Sequence, residues 1–261
     1  MTVLKIKSIL AILMSVSFFY GCSNDLSEAI NNEVRSGTNI ARDVYRNPAK
    51  TLSFFRLRPD MTVIELSPGG GWYTEILAPY LKDSGKLIVA HFNPESGGYY
   101  KRSREKFEEK IQASDVYEKV TILNLDSEVY SNSGEVDVVL TFRNLHNWIG
   151  PQIDVVLSNA YESLKPGGFL GVVEHRANPG ASLSEMKKSG YVTEEWAIAT
   201  AEKQGFVLVE RSDLNANPND RKDHPAGVWT LPPSMAMKEI DREKYRAIGE
   251  SDRMTLLFKK P

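Results

Sequence analysis

The segment Val63-Ile64-Glu65-Leu66-Ser67-Pro68-Gly69-Gly70-Gly71-Trp72 joins a short apolar run to an amphipathic one through a glycine-rich turn. Residues 61–66 have the make-up of a buried strand. Beyond the turn, Trp72, Ile76, Leu77, Tyr80 and Leu81 fall on one face of a helix that Pro79 is expected to end or bend early. Glycines at such a junction let a ligand approach the backbone where a Cβ would stand in the way, and the helix start offers amide donors. A polar or anionic group is therefore expected at this turn. Taken alone, the turn is equally well explained by the needs of a tight strand-to-helix connection.

The same alternation continues along the chain. Strands are expected at 86–92, 120–125, 136–142, 169–173, 206–211 and 254–258, and helices at 151–164 and 193–204. Each strand is short and continuously apolar, as strands covered on both faces by crossover helices are. Residues 214–250, rich in Asn, Pro and Asp, are too long for a hairpin and should hold a functional loop or local structure. No internal repeat or second apolar core marks another domain.

The 261 residues are 41% hydrophobic and 25% charged, the range of ordinary globular proteins. With 32 basic and 34 acidic residues the formal charge is -2, so no basic footprint calls for nucleic acid as a partner. A monomer or weak oligomer is expected. At the N-terminus, Lys5 and Lys7 precede an apolar run over residues 9–20, the pattern of a signal peptide. That run is well short of the about 20 residues a membrane-spanning helix needs. Gly21 then precedes Cys22, the single cysteine. Phe19-Tyr20-Gly21-Cys22 resembles the bacterial lipoprotein cleavage box, which implies a lipid on Cys22 and an exported protein anchored on the periplasmic face of the cell envelope. The competing reading is a buried free thiol. Residues 1–21 thus read as a signal peptide, and 22–50 as the lipidated cysteine, a polar tether and a lead-in without a core of its own.

From 51 to 261 the chain resembles the class I S-adenosylmethionine-dependent methyltransferases, and within them a group of bacterial methyltransferases with signal sequences. Three stretches carry the resemblance: Glu65 with the turn that follows it, Asp137-Val138-Val139-Leu140 with Asn144-Leu145-His146-Asn147-Trp148, and Leu164-Lys165-Pro166-Gly167-Gly168. The resemblance implies an α/β fold, a Rossmann-like seven-stranded sheet in the order 3-2-1-4-5-7-6 with the last strand antiparallel and helices on both faces. It places S-adenosyl-L-methionine at the carboxyl ends of the strands, beside the first. Ser67, Pro68, Gly69, Gly70 and Gly71, with Glu65 before them, then serve the methionine part, Ser67 standing where the family has its first glycine. Asp126 matches the position that meets the adenine amino group. His91 and Asn93 occupy the end of the second strand, where the family has an acidic residue for the ribose hydroxyls. Arg143 and Asn144 follow the fourth strand, on the side of the transferred methyl.

Methyl transfer from a sulfonium is a direct displacement, so the protein aligns the nucleophile and, where needed, removes its proton. His146 is the first candidate for that base, with an orienting or pocket-shaping role equally open, and His175 and His224 are the next candidates. In the implied strand order His91 and His175 lie about 14 Å apart, three strand spacings, too far to share a metal. His146 and His175 follow neighbouring strands and can approach, with Glu174, Asp223 or His224 beside them. No close metal-ligand spacing is present, so no metal is expected. Trp72, Tyr73 and Trp148 are candidates for stacking on substrate, although core packing is the commoner fate of such rings. Arg143 is a candidate for an anionic substrate group or for pairing with Glu174. Asn217-Pro218, Asp220 and Asp223-His224-Pro225 read as a lid, and Gly249-Glu250-Ser251-Asp252-Arg253-Met254 as a turn that positions the last strand. The function implied is an S-adenosylmethionine-dependent methyltransferase acting on a small molecule. A non-catalytic nucleoside- or metabolite-binding lipoprotein on the same fold is the alternative, and a metal-assisted enzyme comes third.

Overall fold

In the computed structural model, residues 25–261 are described; the signal segment and Cys22 lie outside them. Seven strands form one sheet: β1 (Thr62–Leu66), β2 (Lys86–His91), β3 (Thr121–Asn124), β4 (Val136–Phe142), β5 (Leu164–His175), β6 (Val207–Ser212) and β7 (Arg253–Lys259). Their order is β3-β2-β1-β4-β5-β7-β6, the order implied by the resemblance. The first five are mutually parallel, and β7 runs antiparallel to both β5 and β6. The helices are α1 (Leu26–Ile30), α2 (Gly37–Ile40), α3 (Asp43–Arg46), α4 (Pro48–Phe54), α5 (Thr74–Leu81), α6 (Gly98–Gln112), α7 (Leu145–Trp148), α8 (Pro151–Ser163), α9 (Leu183–Ser189), α10 (Glu194–Lys203) and α11 (Arg242–Ile248). Among the described residues no helix is long and apolar enough to cross a membrane.

Strand alternation divides the core in two. Ile64 and Leu66 of β1 join Ile88, Val139 and Leu170 under α7, α8 and α10, where Trp148, Ile153, Leu157 and Ala201 are buried. Val63, Val89, Val138 and Leu140 face the other way, toward Phe55, Ile76, Leu77 and Phe107. Both faces of the central strands are therefore dry, which is why the strands read as continuous apolar runs.

Several boundaries differ from expectation. Pro79 lies inside α5, which continues two residues beyond it before ending. The Lys165-Pro166-Gly167-Gly168 turn lies within β5, where pairing with β4 jumps from Leu164 opposite Val136 to Phe169 opposite Val138. Gly167 takes φ +82° there, a left-handed conformation that suits glycine. The segment expected as a tether and lead-in is folded from residue 25 onward. Leu26, Ile30 and Val34 pack on the second core, Ala29 is buried in it, and the buried Arg35 pairs with Asp43 at 2.7 Å. Its polar sequence hides this because much of its fastening is ionic rather than apolar.

Candidate active site

The chain leaves β1 toward α5 and leaves β4 toward α7, on opposite faces of the sheet, so a crevice opens beside the end of β1. Ser67 opens the turn with its N–H donating to Ala90 O at 2.8 Å and with φ +49°, a left-handed backbone that glycine adopts far more readily than serine. Its Oγ is buried with no hydrogen-bond partner. A Cβ built on Gly69 or on Gly70 would meet nothing within 4 Å, and both glycines line a cavity of about 210 Å³ with Ser67, Pro68, Arg143 and Asn144. Gly71 does not belong with them. A Cβ there would meet the Phe107 ring of α6 at 3.0 Å, so this glycine is required by packing and not by ligand approach.

The turn is held from beneath. Buried Glu65 accepts from Thr74 Oγ1 at 2.6 Å, and burial raises its carboxyl to about 7. His91 is wholly buried and does not reach the crevice. Its Nε2 donates to Gly69 O at 3.1 Å while Nδ1 accepts from Phe92 N–H at 2.7 Å, and burial lowers its pKa to about 4, so it is neutral. Lys110 Nζ reaches Gly70 O at 2.6 Å from α6. Asn144 Nδ2 lies 3.2 Å from the carbonyls of Leu66, Ser67 and Phe142, tying the ends of β1 and β4 together.

Beyond β2 a second cavity, of about 420 Å³, contains Asn93 and Asp126, with Asn93 Nδ2 donating to Asp126 Oδ2 at 3.0 Å. Tyr100 meets Phe92 and Tyr99 edge to face beside it; the two tyrosines are exposed and went unnoticed in the sequence because α6 carries almost no apolar stripe.

The third part lies past β4 and β5. Glu174, with no exposed surface, accepts from the N–H groups of Leu145 and His175 at 2.5 and 2.8 Å and lies 3.1 Å from His146 Nδ1. A carboxylate engaged as an acceptor on both oxygens fixes the hydrogen on Nδ1 and leaves the Nε2 lone pair of His146 available. His175 stacks 5.3 Å from His146, and its Nδ1 meets Ser251 Oγ at 2.5 Å. Burial, reinforced by His146, holds the His175 pKa well below the usual imidazole range. His146, Glu174 and His175 offer ligand atoms within 4.8 Å of one another, the one such trio among the described residues. His224 stands apart: its Nε2 lies 2.8 Å from Asp220 Oδ1, and the same carboxylate accepts from Tyr191 OH and Asp252 N–H.

His146 and His175 open on a cavity of about 380 Å³ that also contains Arg42, Arg46, Arg143, Trp229 and Glu250. Arg143 does not pair with Glu174; it sits at φ +63° with its guanidinium 3.8 Å from Glu250. Glu250 is the shared partner of Arg42 at 2.7 Å, Arg46 at 3.1 Å and Arg253 at 2.9 Å. Burial would raise this carboxyl, but the guanidiniums of Arg46, Arg253, Arg143 and Arg42 hold it down to about 2. The residues read as a lid, Asn217 and Asp220, are instead tied to Asp252 and the start of β7, and the cavity is walled by Val228, Trp229 and the stretch after Leu231. Trp72, Tyr73 and Trp148 are all buried, Trp72 with the guanidiniums of Arg35 and Arg46 at 5.1 and 4.7 Å from its ring and Tyr73 stacked on Phe142. Trp72 still edges the cavity over the glycine turn and Trp148 the one beside Asn93 and Asp126, while Trp229, 37% exposed, lines the cavity beside His146.

No family profile matches the chain. A hybrid PKS-NRPS synthetase, tasS, from Hapsidospora irregularis is 31% identical over 122 residues, 46% of this chain, and the match spans only 3% of that synthetase. A SAM-dependent methyltransferase from Aquifex aeolicus superposes with a TM-score of 0.58 at 15% identity, over 91% of this chain and 99% of the other. The [4+2]-cyclase SpnF superposes at 0.60 and 15% identity, over 90% and 92%. The fold is that of the class I methyltransferases.

Proposed function

We propose that the protein is an S-adenosylmethionine-dependent methyltransferase acting on a small molecule, and that it is exported and held to the cell envelope by a lipid on Cys22. The observation that carries the activity is the His146–Glu174 pair, which opens on a cavity that shares Arg42, Arg46 and Arg143 with the cavity over the glycine turn. The open faces of Gly69 and Gly70 and the unpartnered Ser67 Oγ fit the amino-acid end of the cofactor, and Asn93 with Asp126 offers an amide and a carboxylate to its nucleoside end. When bound, the cofactor supplies an electrophilic methyl group on a sulfonium. His146 Nε2 takes the proton of the acceptor's hydroxyl or ammonium, and Glu174 stabilises the resulting imidazolium. His175, neutral and fixed by Ser251, packs against the His146 ring and holds it in place. Val228 and Trp229 form an apolar part of the cavity wall.

Calorimetry of the full chain with S-adenosylhomocysteine tests the cofactor; no binding would remove the reading. His146→Ala should leave that dissociation constant within about twofold and lower kcat by about 10²- to 10⁴-fold, the loss shrinking as pH rises and the acceptor deprotonates unaided. A loss of a few fold, flat with pH, reassigns His146 to shaping the cavity. One observation favours a second reading, a binding protein that transfers nothing: the ribose end carries the Asn93 amide, already engaged with Asp126, in place of a free carboxylate. Bound cofactor whose methyl never transfers would select it.

A further inference from the structure

The cavity beside His146 holds more positive charge than the protein itself uses. Arg42, Arg46 and Arg143 line it, Arg253 stands behind them, and the single carboxylate among its walls is Glu250, already shared by all four. Two donors remain unspent: Arg42 Nη2 and Arg46 Nη1 are buried and make no hydrogen bond. The Arg46 side chain is 3% exposed and that of Arg42 20%, so Arg46 Nη1 in particular is shut off from bulk water. The strain shows in the charges themselves. Burial pushes the Arg143 guanidinium down to about 10, with Arg253 and Arg42 pushing the same way, and Arg46 is lowered by burial and by Arg143. Bare guanidinium donors in a dry site are a standing cost unless an acceptor arrives.

S-adenosylmethionine does not settle that account, because its sulfonium and ammonium outweigh its one carboxylate and its arrival adds positive charge. Building on the methyltransferase reading, we propose that the methyl acceptor is itself an anion, a small molecule whose carboxylate or phosphate is held by Arg42, Arg46 and Arg143 with its nucleophile turned to His146. Arginine forks match the geometry of such oxyanions. The cavity, at about 380 Å³, admits a small metabolite and not a polymer. Trp229, 37% exposed and with its ring 6.0 Å from that of His146, gives the acceptor an apolar face to lie on.

The test titrates inorganic phosphate, and in a parallel arm benzoate, into the full chain at low salt, alone and saturated with S-adenosylhomocysteine. At least one of the two anions should bind with a dissociation constant that changes less than threefold on adding S-adenosylhomocysteine; the tighter anion names the acceptor's head group. Arg42→Gln should weaken that anion at least tenfold, a clearly larger factor than it costs S-adenosylhomocysteine, whose cavity Arg42 also lines, and Arg42→Lys should recover part of the loss; a larger loss for S-adenosylhomocysteine than for the anion would overturn the proposal. An anion that binds the free protein and is expelled by S-adenosylhomocysteine would overturn the proposal, because the arginines would then hold the cofactor's own carboxylate. Absence of anion binding in both states would overturn it too. Anion binding by a protein that never takes S-adenosylhomocysteine would remove the methyltransferase reading and leave the anion site standing.

Discussion

Gly70 and Gly71 are neighbours that face opposite environments, and the difference separates ligand approach from packing. Gly70 has ordinary backbone angles and open space where its Cβ would be, in the wall of the cavity over the turn. Gly71 holds φ +78° and has Phe107 at 3.0 Å. Gly70→Val should therefore keep the thermal transition within about 2 °C and weaken S-adenosylhomocysteine at least tenfold by calorimetry. Gly71→Val combines left-handed strain with overpacking and should destabilise by about 1–3 kcal/mol or more. Equal affinity in a folded Gly70→Val protein would move the ligand off this turn. The sequence groups the three glycines because it shows the absence of a side chain without showing what each absence makes room for.

At the scale of elements, the central strands were legible because both their faces are buried, so β1, β2, β4 and β7 are apolar runs, and the ends of every strand but β5 lie within a residue or two of the observed ones, including the largely exposed edge strands β3 and β6. Helix α6 was not, because Arg104 and Phe107 are its only buried side chains and its mean character is polar. The candidate site was half legible. Ser67, Asn144 and His146 follow strands whose ends define the crevice, whereas Arg42 and Arg46 acquire meaning only through Glu250, more than two hundred residues away. His91 was read as a ribose ligand because it ends β2, yet it pins β2 to the turn after β1. That pin has a pH signature. The folded chain holds His91 neutral to about 4, while the unfolded imidazole protonates near 6.5, so its contribution is complete above pH 6.5 and is lost as pH falls toward 4, up to about 3 kcal/mol. Glu65, raised to about 7, acts in the opposite sense, losing its contribution as pH rises from 4.5 through 7. The difference between His91→Gln and the parent chain cancels the Glu65 effect. Urea melts should show the stability gap between the two narrowing as pH drops from 7 to 4, and a constant gap would mean that His91 titrates normally in the fold.

In sequence, the N-terminal helices over residues 25–50 lie between Cys22 and the body of the domain. Residues 25–50 contribute Arg42 and Arg46 to the cavity, cover Trp72 with Arg35 and Arg46, and lay Leu26, Ile30 and Val34 on the core beside α5. A lipid on Cys22 would thus lie three residues from the start of the folded body rather than at the end of a long tether. Two cuts separate anchoring from site building. A chain begun at Asp25 should lose labelled palmitate and leave the membrane fraction while keeping its unfolding temperature and its affinity for S-adenosylhomocysteine. Begun at Thr51, where the family resemblance starts, it loses two of the three guanidiniums in the cavity walls and the cover of α5. Its unfolding temperature should fall by more than about 5 °C, since each kcal/mol lost moves a domain of this size by about 2–4 °C, and its anion binding should fall at least tenfold. Palmitate absent from the full chain would leave Cys22 a free thiol. A chain from Thr51 that melts and binds like the one from Asp25 would show that the lead-in only rests on the domain, and that Arg143 alone serves the anion.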